Sequence, residues 1–363
     1  MPENVFQNQG VGQNGREPSR AKGLSKADTG DTGKQSDIDL TPSPQMHPGG
    51  RRSERRSKPP AGVQRDFPLA RLTTIRTGGS AEFFARVHGR SQLERLLAWA
   101  ATNALAVGVI GSGSNLLVAD TGVSGLVVKL DKELSTIELD LIAADRLACG
   151  GGARLPAVSA AAARAGLSGI EFGVNIPGTV GGAVRMNANA YDGVLADVLE
   201  WVEVVSAEGT QRRAADQLGF AYRRSNLEPG QVVAQALFKL RPAPAREVQG
   251  TLADMRRRRK DAQPTGIKTF GSTFKNPQSR HARDMTAGQL LDAAGCQRLR
   301  VGGATFNAKH ANFVENDGSA TTADVVALMA QGRERVKQAF GVELEPEVQA
   351  LGPVPFPAEW GCS

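Results

Sequence analysis

The run Gly173-Val174-Asn175-Ile176-Pro177-Gly178-Thr179-Val180-Gly181-Gly182-Ala183-Val184-Arg185-Met186-Asn187-Ala188-Asn189-Ala190 constrains this chain more than any other feature. Small side chains mixed with amides bury little apolar area and are poor material for a core. Pro177-Gly178 forces a turn. Gly181-Gly182 leaves bare backbone against which a flat group can lie. A tight crossing of two elements would also use such a run, but its length and its amides favour a ligand surface. The chain has 42 glycines against 13 Phe, 3 Trp and 2 Tyr, with no G-x-y period, so the surplus belongs to loops and not to a fibre.

A second loop has the same character. Val109-Ile110 ends a short apolar strand, and Gly111-Ser112-Gly113-Ser114-Asn115-Leu116 follows. Consecutive small residues let backbone N–H groups converge on an anion, and the hydroxyls add donors, which suits a pyrophosphate. The fingerprint of doubly wound dinucleotide folds is absent. Its third glycine falls at Leu116, and Leu117-Val118-Ala119-Asp120 reads as strand, not helix.

Four further segments carry polar chemistry. Phe220-Ala221-Tyr222-Arg223-Arg224-Ser225 sets a tyrosine beside two arginines, whose rigid forks suit carboxylate or phosphate. Phe270-Gly271-Ser272-Thr273-Phe274-Lys275-Asn276-Pro277 places Ser272 in a glycine turn. No G-x-S-x-G surrounds it, so acyl transfer is not indicated. Val301-Gly302-Gly303-Ala304 leads to Lys309-His310-Ala311-Asn312-Phe313, where a lone histidine is more often structural than catalytic. Leu344-Glu345-Pro346-Glu347-Val348 puts two carboxylates around a proline.

Periodicity places these segments on an α+β framework. Strands are expected at 81–87, 106–110, 125–130, 137–142, 198–206 and 231–240. Helices are expected at 91–102, 155–165 (closed by Gly166), 248–260, 286–294 and 322–340, the last capped by Thr322. Pro242-Ala243-Pro244 reads as a linker, and no clean βαβ repetition is visible. Residues 1–60 contain 29 Gly, Pro, Ser, Gln or Asn and one aromatic, Phe6, so disorder is expected there. That segment ends in the basic cluster 51–58, read as a solvated tail.

Several classes are excluded or weakened. No run of 18 apolar residues is present to form a membrane-spanning helix, and the polar N-terminus lacks the apolar region of a secretory signal. Cys149, Cys296 and Cys362 make no disulfide framework, which fits a reducing compartment. Four scattered histidines and no C-x-x-C give no metal site. The first 66 residues carry +3 of the formal net charge of +7, leaving +4 on the other 297. That is too mild to argue for nucleic acid, and compatible with small anionic ligands.

In this order the six segments resemble the MurB family, the UDP-N-acetylenolpyruvoylglucosamine reductases. Leu72-Thr73-Thr74-Ile75-Arg76-Thr77-Gly78-Gly79 and Ala287-Gly288-Gln289-Leu290-Leu291-Asp292-Ala293-Ala294-Gly295 belong to the same resemblance, which runs from about Phe67 to Gly352. It implies a two-subdomain FAD-binding fold of the vanillyl-alcohol oxidase type over 67–243 and an α+β substrate domain over 244–341. A return segment, 342–363, would carry Glu347 back to the flavin unit, and 1–66 would be a tail. FAD and NADPH are the implied cofactors. Gly111, Ser112, Gly113, Ser114, Asn115 and Leu116 would hold the FAD pyrophosphate. Gly178, Thr179, Gly182, Ala183 and Asn187 would lie against the flavin side.

The resemblance also implies a reaction in the cytoplasm, on a small-molecule UDP-sugar, with no obligate protein partner. NADPH reduces FAD and leaves, and the enolpyruvyl ether of UDP-N-acetylglucosamine takes its place. Hydride reaches the methylene carbon, a proton reaches its neighbour, and UDP-N-acetylmuramate results. Arg223 would bind the enolpyruvyl carboxylate, Ser272 would donate the proton, and Glu347 would complete the cage, with Glu345 the lesser candidate. Lys275 and Asn276 would meet substrate diphosphate or carboxylate. Asn189 stands where the family usually has glycine. Ser272 follows Arg223 by only 49 positions, with no tyrosine between them, as in the family's shorter second type.

Overall fold

The structure, a computed structural model, describes residues 57–360 apart from 141, 142, 265, 279–281 and 283. The low-complexity segment and all of the basic cluster except Ser57 and Lys58 lie outside the described residues. The described residues form one compact unit.

The first block of chain gives β1 (Val63–Pro68), β2 (Ser80–Val87), α1 (Arg90–Thr102), β3 (Val107–Val109), β4 (Leu116–Val118) and β5 (Val123–Leu130). Four of these strands pair in the order β1-β2-β5-β3. Period two decides which neighbour each residue meets. Phe83, Ala85 and Val87 of β2, with Leu126 and Val128 of β5, pack on Leu93, Leu96, Leu97 and Ala100 of α1. Phe84 and Val127 turn the other way, onto Leu69, Ile110 and Val118. With both faces covered, these strands read as continuous apolar runs. β1 begins ahead of the expected Phe67 boundary, because Val63 to Arg65 pair with Phe83 to Ala85. One parallel crossover is present, since β2 and β3 both run parallel to β5. The glycine loop hides it from the pattern by sending the chain out through β4 before β5.

The second block contains β6 (Ile137–Leu139), β7 (Arg146–Gly150), α2 (Leu155–Arg164), β8 (Leu167–Ser168), α3 (Val180–Arg185), β9 (Asn189–Ala190), β10 (Gly193–Val194), β11 (Leu199–Ser206), β12 (Gly209–Ala214), β13 (Val232–Lys239) and β14 (Arg241–Pro242). A five-stranded sheet runs β12-β11-β13-β7-β6. Its core joins Leu155, Val158 and Ala162 of α2 to Val180 and Val184 of α3. The Pro242 linker begins as strand: Arg241 and Pro242 pair with Ser168 and Leu167.

The last block holds α4 (Ala245–Ala262), α5 (Ala287–Ala293), β15 (Arg300–Val301), β16 (Ala304–Phe306), β17 (Val314–Asn316), α6 (Thr322–Phe340) and β18 (Gln349–Leu351). The cap of α6 is Thr321, not Thr322. Thr321 Oγ1 accepts from Asp324 N and Asp324 answers to Thr321 N, a capping box. Thr322 instead buries its hydroxyl, donating to Val118 O at 2.7 Å, while Asp120 accepts the N–H groups of Thr322 and Ala323. β18 then returns to pair in parallel with β4, Gln349 opposite Leu116. This pairing brings the C-terminal chain to the first glycine loop.

Candidate active site

The Gly111–Asn115 loop spends three of its carbonyls on the protein and keeps its N–H groups. Gly113 O accepts from Thr74 N and Thr74 Oγ1. Gly111 O accepts from the Lys129 ammonium, and Asn115 O from Gln349 N at 3.1 Å. No backbone N–H from Gly111 to Asn115 has an acceptor among the described residues. Gly113 is obligatory: its φ is +63°, and a Cβ there would stand 2.1 Å from Leu72 O. Gly111 abuts the second loop, where a Cβ would stand 2.5 Å from Thr179 Oγ1. A row of unspent donors on a fixed loop is an anion cradle.

In the second loop Val180 N and Gly181 N are spent on Ala153 O and Gly151 O. Gly178 and Gly182 differ from their neighbours. A Cβ on either would meet no protein atom nearer than 3.8 and 3.6 Å, so neither is pressed by the protein, and both line an open space. That space is a cavity of about 1010 Å³, lined by all of Gly111–Leu116 and by Gly178, Thr179, Gly182 and Ala183. Ligand cavities run to roughly 300–1,000 Å³, so this one has room for a large cofactor beside a second molecule.

Arg223, Ser272, Asn276 and Glu347 line the same cavity. Arg223 sits at the tip of a turn closed by Ala221 N to Arg224 O and Arg224 N to Ala221 O, at φ +57°. Left-handed backbone at a non-glycine costs about 1–3 kcal/mol and marks a constrained tip. Its Nε lies 2.9 Å from Glu347 Oε1, yet the N–H is not aimed along that line and is left without a hydrogen-bond acceptor. Arg223 Nη1 donates to Asn189 O at 3.4 Å. Glu347 is fixed by its own N–H, which donates to Thr273 O. Burial pushes its carboxyl above the ordinary range, against the pull of Arg223 and Lys275. The guanidinium contact lacks an aligned hydrogen bond and does not offset that burial. Ser272 forms a lone bridge with Phe313, and its hydroxyl bonds no described residue.

Two expected residues lie elsewhere. Asn187 does not line the cavity; its amide donates to Ala221 O and accepts from Ala196 N, so it braces the Arg223 turn from behind. Lys275 turns away to Glu345, at 3.1 Å. Asn189, the departure from the family pattern, has no positive φ and serves Arg223 through its carbonyl, so its side chain brings no backbone strain. Sequence reasoning missed Arg258 and Arg259, which line the cavity and form no ion pair among the described residues. The signal was the run Arg256–Lys260 inside an expected helix, read only as helix.

The unspent N–H row and the glycine faces without close neighbours fit a flat cofactor with a pyrophosphate, as a flavin-dependent oxidoreductase would hold. Residues 81–215 match the family described as FAD binding domain. Residues 263–351 match the family described as UDP-N-acetylenolpyruvoylglucosamine reductase, C-terminal domain. A UDP-N-acetylenolpyruvoylglucosamine reductase 2 of Symbiobacterium thermophilum is 40% identical over 299 residues, covering 82% of this chain and 94% of the relative. A UDP-N-acetylenolpyruvoylglucosamine reductase of Agathobacter rectalis is 42% identical over 305 residues, 81% of this chain and 95% of the relative. The crystal structure of the MurB enzyme of Thermus caldophilus is 38% identical with a TM-score of 0.68, covering 81% of this chain and 99% of that one. The chain belongs to the UDP-N-acetylenolpyruvoylglucosamine reductase family.

Proposed function

We propose that the chain reduces UDP-N-acetyl-3-O-(1-carboxyvinyl)glucosamine to UDP-N-acetylmuramate, with NADPH as reductant through FAD, for peptidoglycan synthesis. One observation carries the reading: Arg223, Ser272 and Glu347, far apart in sequence, line one cavity with an anion cradle. FAD, reduced by NADPH, supplies the hydride. Arg223 binds the enolpyruvyl carboxylate with its guanidinium, which lines the cavity. Hydride addition at the methylene carbon drives charge into that carboxylate, so a fixed guanidinium binds the transition state more tightly than the ground state. Ser272 Oγ–H delivers the proton to the adjacent carbon, a form of help worth about 10²–10⁴ in rate. Glu347, held toward its neutral form, donates a hydrogen bond to the same growing charge.

Gly111–Leu116 hold the FAD pyrophosphate, and Gly178, Thr179, Gly182 and Ala183 lie along the flavin. Arg258, Arg259 and Asn276 take the nucleotide diphosphate, since two guanidiniums without ion-pair partners suit that charge. The division into a flavin unit over 67–243, a substrate unit over 244–341 and a return segment from 342 follows from these roles. A reaction that draws on NADPH and a nucleotide sugar belongs in the cytoplasm, and it needs no nucleic acid and no obligate protein partner. Among the described residues no helix is long and apolar enough to cross a membrane.

The test is the visible spectrum of the purified protein under anaerobic conditions. A flavin band bleached by NADPH and restored by the enolpyruvyl substrate is expected. Bleaching by a simple sugar or alcohol, with no response to the enolpyruvyl ether, overturns the reading in favour of another flavin oxidoreductase.

A further inference from the structure

Ser272 sits on a segment with almost no sheet to hold it. Its pairing with Phe313 is an isolated bridge, and no ladder continues on either side. A proton donor must be held within a fraction of an ångström, and a displacement of about 1 Å can cost about 10²-fold in rate. Beyond Ser272, Glu347 N donates to Thr273 O and Lys275 N to Glu345 O, and the remaining restraint comes from one residue, Asn312. Asn312 Oδ1 accepts from Phe274 N at 2.9 Å, and Asn312 Nδ2 donates to Phe274 O at 2.9 Å. The primary amide thus mimics a peptide group and closes a two-bond ring on the backbone two residues beyond Ser272. The Asn312 carbonyl adds a third hold, accepting from Thr273 N at 2.8 Å and from Thr273 Oγ1 at 3.0 Å.

Asn312 is itself fixed. It is 4% exposed, its N–H donates to His310 Nδ1, and Asn307 Oδ1 accepts from Lys309 N and His310 N to stiffen the turn ahead of it. Only asparagine suits this place. Aspartate lacks the donor when ionised, alanine lacks both groups, and glutamine is one methylene too long for a close-packed site.

We propose that Asn312 is the positioning residue for Ser272, acting on proton delivery through the Thr273–Phe274 backbone and touching neither flavin nor substrate. The inference rests on the reading of Ser272 as proton donor.

The test is stopped-flow kinetics on flavin-loaded enzyme, per bound flavin, with the two half-reactions measured apart. Bleaching by NADPH does not need Ser272 and reports an intact flavin site; reoxidation by the enolpyruvyl substrate does need it. Asn312→Ala is expected to leave bleaching within about twofold and to slow reoxidation by about 10²-fold. Asn312→Asp, which keeps the acceptor, is expected to lie between Asn312→Ala and the parent. Residues acting through one another are not additive. Adding Asn312→Ala to Ser272→Ala should therefore slow reoxidation no more than about twofold beyond Ser272→Ala alone.

Four results overturn the proposal. One is normal reoxidation in Asn312→Ala while Ser272→Ala is slow. A second is a full further loss in the double variant. A third is equal slowing of both half-reactions, or failure of both Asn312 variants to fold and hold flavin, which would make Asn312 a residue of the fold. The fourth is normal reoxidation in Ser272→Ala itself, which removes the reading of Ser272 on which the proposal stands.

Discussion

Glu347 stands between two opposing influences. Burial favours its neutral form, and Arg223 and Lys275 favour the carboxylate, with burial the larger. Its folded pKa therefore lies above that of the unfolded chain. The stability this gives is complete below the ordinary carboxylate range and is lost as pH rises through the raised value. If the reaction uses the neutral carboxyl, reoxidation of flavin by substrate should fall over the same rise. Glu347→Gln should flatten that limb and keep part of the rate, whereas an unchanged pH profile in Glu347→Gln would assign the limb to another group. Ser272→Ala belongs to the same scale. Bleaching by NADPH should stay near the parent rate while turnover drops by about 10²-fold or more, and turnover within a few-fold of the parent would place the proton donor elsewhere. Residue type alone left Arg223, Ser272 and Glu347 open, and their roles were implied by the family resemblance of the segments that carry them. It did not show that Arg223 sits at positive φ, in a turn closed between Ala221 and Arg224, or that Asn187 braces that turn from 34 residues away.

At the scale of elements, the two glycine loops make opposite demands. A side chain at Gly113 meets the protein itself, with Leu72 O at 2.1 Å and a φ of +63°. Gly113→Ala should destabilise the fold by several kcal/mol, seen as a large loss of melting temperature with or without flavin. Gly182 meets only Thr179 Oγ1, at 3.6 Å. Gly182→Val should leave the apoprotein within about 1 kcal/mol of the parent and weaken FAD by at least about tenfold, which is about 1.4 kcal/mol. Titration of apoprotein with FAD measures this directly, and normal affinity would show that the flavin does not lie on that face. The long elements were legible because their periods are clean: α1 shows its Leu93, Leu96, Leu97 and Ala100 stripe, and β11 and β13 lie within about a residue of expectation. The cap of α6 was misplaced by one residue because Thr321 and Thr322 are chemically equal candidates. The distant carbonyl of Val118 and carboxylate of Asp120 decided between them.

On the scale of the whole molecule, the chain closes on itself through a few buried polar contacts. β18 lies beside β4, Asn115 Nδ2 donates to Glu347 O, and Asn316 Nδ2 donates to Ile75 O. The family resemblance implied the return of the chain at Glu347 but not these pairings, since a three-residue strand has no period of its own and finds its partner only in the assembled core. The same core cluster holds Ile75 and Leu117 from the start of the chain with Val325, Met329 and Val348 from its end. One core cluster therefore spans the early and late parts of the chain, and the described residues should unfold as one unit. Flavin release and loss of helical circular dichroism are expected to coincide on heating. Thr322→Val keeps the branched shape, removes the hydroxyl that Val118 O accepts, and should cost about 1–3 kcal/mol. Because Thr322 belongs to the substrate half, a fall in both midpoints together by several degrees is the mark of a shared core. A fall in the circular dichroism midpoint alone, with flavin held to the parent temperature, would mean that the two halves melt apart and that Arg223 and Glu347 are joined only by the ligand between them.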